Sequence, residues 1–62
     1  MDNTVALDTF LEAYLGLNKA WSYIETAKSR GFYDEDKLAE MMEDIWGIQE
    51  KIIAIRKELH NR

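Results

Sequence analysis

With 62 residues, 47% of them hydrophobic, the chain can form one folding unit over residues 1–62, near the lower size limit for a stable core. A net charge of −4 disfavours binding to nucleic acid or anionic membranes, and the absence of cysteine excludes disulfides and zinc–thiolate sites. No stretch approaches the ~20 apolar residues of a membrane span and no secretion signal is present, so we expect a cytoplasmic protein that contacts no membrane.

The first predicted element is a helix from about residue 4 to residue 30. Apolar side chains recur there in steps of three and four, which places them on one helical face: Leu7, Phe10, Tyr14, Leu17, Trp21 and Ile24. Alanines seven residues apart follow a neighbouring line: Ala6, Ala13, Ala20 and Ala27. We interpret this line as a place where another helix backbone approaches closely, although the high helix propensity of alanine is an alternative explanation.

A tight turn is predicted at residues 31–34. Gly31 suits the position after a helix C-terminus because glycine enters the left-handed backbone region without strain. Asp34 suits the N-cap of the next helix, and Glu35 and Asp36 complement the positive end of that helix. A connection this short makes the two helices antiparallel, as in an αα-hairpin.

The second predicted helix runs from about residue 35 to residue 60. Its apolar residues also alternate in steps of three and four, and we expect all of them in the seam of the hairpin: Leu38, Met41, Ile45, Ile48, Ile52, Ile55 and Leu59. Folding the chain at the turn places residue 16 level with about residue 49, and the apolar layers of the two helices then match.

The apolar surface is wider than one seam can cover. Trp46 and Ile53 lie beside the stripe of the second helix, and Leu11 and Leu15 lie beside that of the first. Because soluble monomers rarely keep large apolar patches exposed, we expect self-association through these four residues. The predicted fold class is therefore all-α: an antiparallel helical hairpin that dimerises into a four-helix bundle.

Two glycines interrupt the helices near mid-length, at a cost of about 1 kcal/mol each relative to alanine. Gly16 and Gly47 each directly follow an off-stripe apolar residue. A narrow waist at these points suits a crossing of subunits or a slot for a partner's side chain, whereas a tolerated defect is the alternative. The expected oligomer or partner interface thus comprises Leu11, Leu15, Gly16, Trp46, Gly47 and Ile53.

We find no pattern of residues that indicates catalysis, a metal or a cofactor. His60 is the single histidine and lies near the C-terminus, and residue 57, where a di-iron Glu-x-x-His pair needs glutamate, is Lys57. The three glycines are isolated, so no phosphate-binding loop is present. No Ser or Thr has a nearby base. We therefore expect a protein that is not an enzyme.

Charge is distributed unevenly along the second helix. Residues 34–50 contain seven acids and one lysine, whereas residues 51–62 contain one acid and four bases: Lys51, Arg56, Lys57 and Arg62. We interpret the acidic part as a solvated, dipole-matched face or a surface for another protein. The leading functional hypothesis is a small oligomeric protein–protein interaction module, acting as a regulator, adaptor or inhibitor. The alternative is a hairpin dimer that binds nucleic acid through those four bases.

Overall fold

The computed structural model describes residues 3–61 as two α-helices packed in an antiparallel hairpin, with no strand in that range. Helix α1 spans Thr4–Ser29 and helix α2 spans Glu35–His60. The hairpin is a thin rod whose Cα atoms extend over 48 × 15 × 9 Å. Its radius of gyration is 14.5 Å, whereas a compact domain of this length would have about 10.6 Å. Nearly every residue of such a rod lies close to the surface.

Local capping interactions define the turn. The backbone N–H of Phe32 donates to the carbonyl of Ala27, and that of Gly31 donates to the carbonyl of Lys28, which together form a Schellman motif. Gly31 has a φ of +68°, as this motif requires. Asp34 accepts a 3.0 Å hydrogen bond from the backbone N–H of Lys37, which caps α2. The predicted turn is confirmed, and α1 ends one residue earlier than expected.

The seam of α2 differs from the predicted stripe. Apart from Ala39, which is also half-buried, its buried or half-buried residues again follow steps of three and four: Leu38, Met42, Ile45, Gln49, Ile52, Arg56 and Leu59. Met41, Ile48 and Ile55 are instead 46%, 47% and 37% exposed, so their assignment to the seam was wrong. On α1 the predicted stripe is half-buried throughout, and no residue of that helix is fully buried.

Hydrogen bonding explains why Gln49 and Arg56, rather than the predicted Ile48 and Ile55, lie in the seam. The long side chains of Gln49 and Arg56 reach backbone carbonyls of α1, and these bonds compensate for the loss of water around the polar groups. Because Gln49 and Arg56 are seven residues apart, they lie on the same side of α2, and their bonds orient this side toward α1. Ile48 and Ile55 then fall to one side of the contact.

Candidate interaction surfaces

The centre of the seam contains a polar layer around Gln49, which is only 6% exposed. Its Nε2 atom donates to the carbonyl of Tyr14 at 3.1 Å and to Oδ1 of Asn18 at 2.7 Å. Since Tyr14 and Asn18 lie on either side of residue 16, Gln49 is level with that residue. The register of the hairpin therefore agrees with the one expected from the sequence.

Two further polar bonds close the open end of the hairpin. Nε of Arg56 donates to the carbonyl of Leu7 at 3.2 Å, and Nδ2 of Asn3 donates to the carbonyl of Leu59 at 2.9 Å. Hydrogen bonds to fixed carbonyls require one alignment of the helices, whereas apolar contacts tolerate sliding. The polar bonds therefore fix the register, and the apolar residues supply most of the burial.

We call the side of the seam on which Trp46 lies the tryptophan side. It carries an open groove of about 360 Å³. Its lining combines aromatic rings with amides: Tyr14, Asn18, Trp21, Trp46 and Gln49. The groove continues toward the turn between Lys28 of α1 and Ala39, Met42 and Glu43 of α2. Trp46 is 64% exposed, so its ring forms a wall of the groove without being enclosed.

A notch next to Trp46 lies on the outer surface of α2. Gly47 forms its floor, and the carboxylates of Glu43 and Glu50 lie one turn away on either side. Apart from the adjacent residues and the nearby backbone of its own helix, no heavy atom lies within 4 Å of a β-carbon built on Gly47, and the same is true of Gly16. Neither glycine is therefore required by packing within the hairpin.

The opposite side of the seam, which we call the alanine face, is formed by Ala6, Ala13, Ala20 and Ala27 of α1 and by Met41, Ile48 and Ile55 of α2. Residues seven apart lie nearly in line along a helix. At about 100° per residue, the line of Met41, Ile48 and Ile55 lies roughly 150° around α2 from the line of Trp46 and Ile53, with the seam between them. On α1 the alanine line lies roughly 150° from Asn18, again across the seam. The two lines therefore flank the same side of the hairpin, and neither contains a charged residue.

Three of the residues predicted to form the oligomer or partner interface lie on the tryptophan side. Trp46 and Ile53 share one line of α2, and on α1 Leu11 shares its line with Asn18 on the same side of the hairpin. Leu15 and Ile53 are exposed, whereas Leu11 is half-buried. Gly16 and Gly47 point away from the seam. The role of these residues in an interface stays a prediction.

Of the four bases proposed for nucleic-acid contact, the three that the structure describes do not form one patch. Arg56 is half-buried and bonded to α1, whereas Lys51 and Lys57 are exposed. Lys51 and Arg56 lie roughly 140° apart around α2. Arg62 is outside the described residues.

No group of three or more His, Cys, Asp or Glu residues could hold a metal ion within residues 3–61. Neither helix, over its described length, is long and apolar enough to cross a membrane. Comparison with known protein families, curated proteins and solved structures gave no match to this chain.

The alanine face was not predicted from the sequence as a surface. The alanine line and the apolar stripe of the second helix were both predicted, but the stripe was assigned to the seam. The spacing of Gln49 and Arg56, one heptad apart and level with apolar residues of α1, is a signal that would have identified the true contact line.

Proposed function

We propose that the protein is a non-catalytic interaction module that self-associates into a helical bundle and presents its remaining surface to another protein, as a regulator, adaptor or inhibitor. The observation that carries this proposal is the amount of apolar surface that the hairpin leaves uncovered. Large apolar residues are exposed on both sides of the seam, among them Ile48 at 47%, Ile53 at 52% and Trp46 at 64%.

The total accessible area supports association quantitatively. The chain exposes 5036 Å², whereas a compact monomer of 7.3 kDa would expose about 4,200 Å². The excess of roughly 800–900 Å² equals what one partner buries in a standard protein–protein interface, about 800 Å². One copy of the hairpin therefore leaves exposed about as much additional surface as a single interface would cover.

The tryptophan side supports the second part of the proposal. The exposed indole of Trp46 lies between the groove, which Glu43 borders toward the turn, and the outer notch, which Glu43 and Glu50 border. Aromatic anchors bordered by polar groups are typical of protein-binding sites. Glu43 and Glu50 suit a partner that presents lysine or arginine beside an apolar side chain. This is the surface on which we propose that another protein binds.

Sedimentation equilibrium from about 1 to 200 µM tests self-association, and we expect a dimer with an affinity in or below the micromolar range. A chain that stays monomeric at 200 µM contradicts the proposal. Affinity capture with wild type and with Trp46→Ala tests the partner surface. We expect the variant to lose captured proteins without losing its own association.

The same captured material tests the nucleic-acid alternative. Lys57→Glu, which changes a base outside the alanine face, should not weaken protein capture on the tryptophan side. Salt-sensitive RNA or DNA in the wild-type sample that is reduced with this variant would instead favour the alternative.

A further inference from the structure

We propose that a second copy of this chain docks on the alanine face, with the two turns at opposite ends of the bundle. The inference rests on the proposed self-association and adds the face and the arrangement. Three features support it: the charges at the edge of the face, the even spacing of the alanines along α1, and the exposed Met41, Ile48 and Ile55 of α2. In this arrangement α2 lies antiparallel to α2 of the second copy, and α1 lies antiparallel to α1.

The outer edge of the alanine face on α2 carries four charges of alternating sign. These are Lys37, Asp44, Lys51 and Glu58, spaced seven residues apart and all exposed. In an antiparallel pair of helices, residues at this heptad position face one another across the contact. With the two-fold axis midway between residues 47 and 48, Lys37 faces Glu58 of the second copy and Asp44 faces its Lys51. Symmetry repeats each contact, so all eight charges have an opposite partner.

The same charges disfavour other arrangements. Sliding one copy by a heptad places Asp44 against Asp44 and Lys37 against Lys51. A parallel alignment places every charge against itself. With the turns at the same end, this edge of α2 faces the outer edge of α1 of the second copy, where the described residues are Thr9, Gly16, Tyr23 and, just after the helix, Arg30. Arg30 would then come close to Lys37. Like charges at such positions reduce pairing and specify register.

The apolar residues indicate the same two-fold position independently. On α2, Ile48 would face Ile48 of the second copy and Met41 would face its Ile55, which centres the contact at residue 48. On α1, Ala6 would face Ala27 and Ala13 would face Ala20, which centres the contact between residues 16 and 17. Gln49 is level with residue 16 in the hairpin, so the two centres agree within about one residue, or 1.5 Å.

Side-chain size also suits this pairing. The alanines and nearby Gly16 would let the two α1 helices approach closely, while the isoleucines and methionine fill the wider gap between the α2 helices. An equivalent α2–α2 contact on the tryptophan side would place Glu43 against Glu50 of the second copy, twice, and only Asp36 against Lys57 would attract. It would also bury Asn18 and Glu25 on α1, where the alanine face presents only methyl groups. The charge pattern therefore favours the alanine face for the second copy.

The face is tested by the matched variants Ile48→Glu and Ile53→Glu. Both change an isoleucine of α2 that is about half exposed in the hairpin, but on opposite sides of the seam. In sedimentation equilibrium, Ile48→Glu should raise the dimer dissociation constant more than about a hundredfold, because two isoleucines leave the contact and two carboxylates enter it. Ile53→Glu should change it less than about threefold. Circular dichroism checks that both variants remain helical.

The arrangement is tested by exchanging charges. Lys51→Glu and Asp44→Lys should each weaken the dimer about tenfold, because each replaces two attractive contacts with repulsive ones. Since these variants change the net charge in opposite directions, a general charge effect cannot weaken both. The double variant restores opposite charges in exchanged positions, and its dissociation constant should return to within about threefold of wild type.

The outcomes separate the two levels of the proposal. A wild-type monomer at 200 µM overturns self-association itself. A dimer that is lost with Ile53→Glu and kept with Ile48→Glu, or weakened equally by both, overturns the choice of face. A dimer that is lost with Ile48→Glu but unaffected by either single charge exchange, or not restored by the double one, overturns the arrangement with turns at opposite ends.

Discussion

The buried amide of Gln49 allows a direct test of what polar groups contribute to this seam. Its Nε2 atom makes two hydrogen bonds to α1, at 3.1 and 2.7 Å, and its side chain is almost fully buried. Gln49→Ala removes both bonds and leaves a gap between the helices. Each hydrogen bond contributes about 1 kcal/mol net, and the lost packing adds a similar amount. We expect the free energy of unfolding to fall by about 2–3 kcal/mol.

Gln49→Leu separates packing from hydrogen bonding because leucine has a similar volume and no polar group. The carbonyl of Tyr14 keeps its bond within α1, and Asn18 is exposed to water, so neither loses its only partner. Replacing a polar contact with apolar packing is often close to neutral when no buried group is left unsatisfied. We therefore expect Gln49→Leu to change the free energy of unfolding by less than about 1 kcal/mol.

Urea unfolding followed by circular dichroism, at one fixed protein concentration, measures both variants. The concentration must be fixed because the proposed self-association would stabilise the folded chain. Glu50→Ala, one residue away and exposed, is the control and should stay within about 0.5 kcal/mol of wild type. A loss above 2 kcal/mol for Gln49→Leu would refute the reasoning, because the amide bonds would then contribute more than the packing.

Three further predictions concern the turn and a helical glycine, and thermal melts measure all of them. Gly31→Ala should cost about 1–2 kcal/mol, because alanine is strained at a φ of +68°; an unchanged melt would show that the turn rearranges. Asp34→Ala should cost about 1 kcal/mol by removing the cap of α2, and Asp34→Asn should retain most of it. Gly47→Ala should add about 0.5–1 kcal/mol at every concentration, because nothing in the chain occupies that space; a lower melt that appears only at high concentration would place Gly47 in the self-contact.

The ends of the helices could be predicted from the sequence because local interactions decide them. Glycine in the left-handed region and an aspartate cap act over four or five residues, so their signals are fully contained in the segment around Gly31 and Asp34. The length of the connection then determined the antiparallel packing. This part of the fold needs no knowledge of the partner helix.

The direction of the seam could not be predicted in the same way. Two lines of residues flank Leu38, Ile45 and Ile52 on α2, one through Ile48 and one through Gln49. Hydrophobicity alone predicts that the line of Ile48 lies in the seam, because it contains no polar residue. Which line faces α1 depends on whether a polar side chain finds a carbonyl there, and this is a property of the assembled pair of helices. Arg56 follows the same logic: its guanidinium reaches the carbonyl of Leu7 from a half-buried position.

The line of α2 that faces α1 does not coincide with the stripe of apolar residues predicted for the seam, and this difference bears on assembly. The heptad stripe predicted for α2 is centred about 50° around the helix from the direction of α1, toward the alanine face, while Trp46 and Ile53 form a separate apolar line on the other side. In an isolated hairpin, the stripe would be centred on the single neighbouring helix. In a four-helix bundle each helix has two neighbours at right angles, and its stripe points between them, about 45° from either. The offset of Met41, Ile48 and Ile55 therefore supports an α2 helix that has a second neighbour on the alanine face.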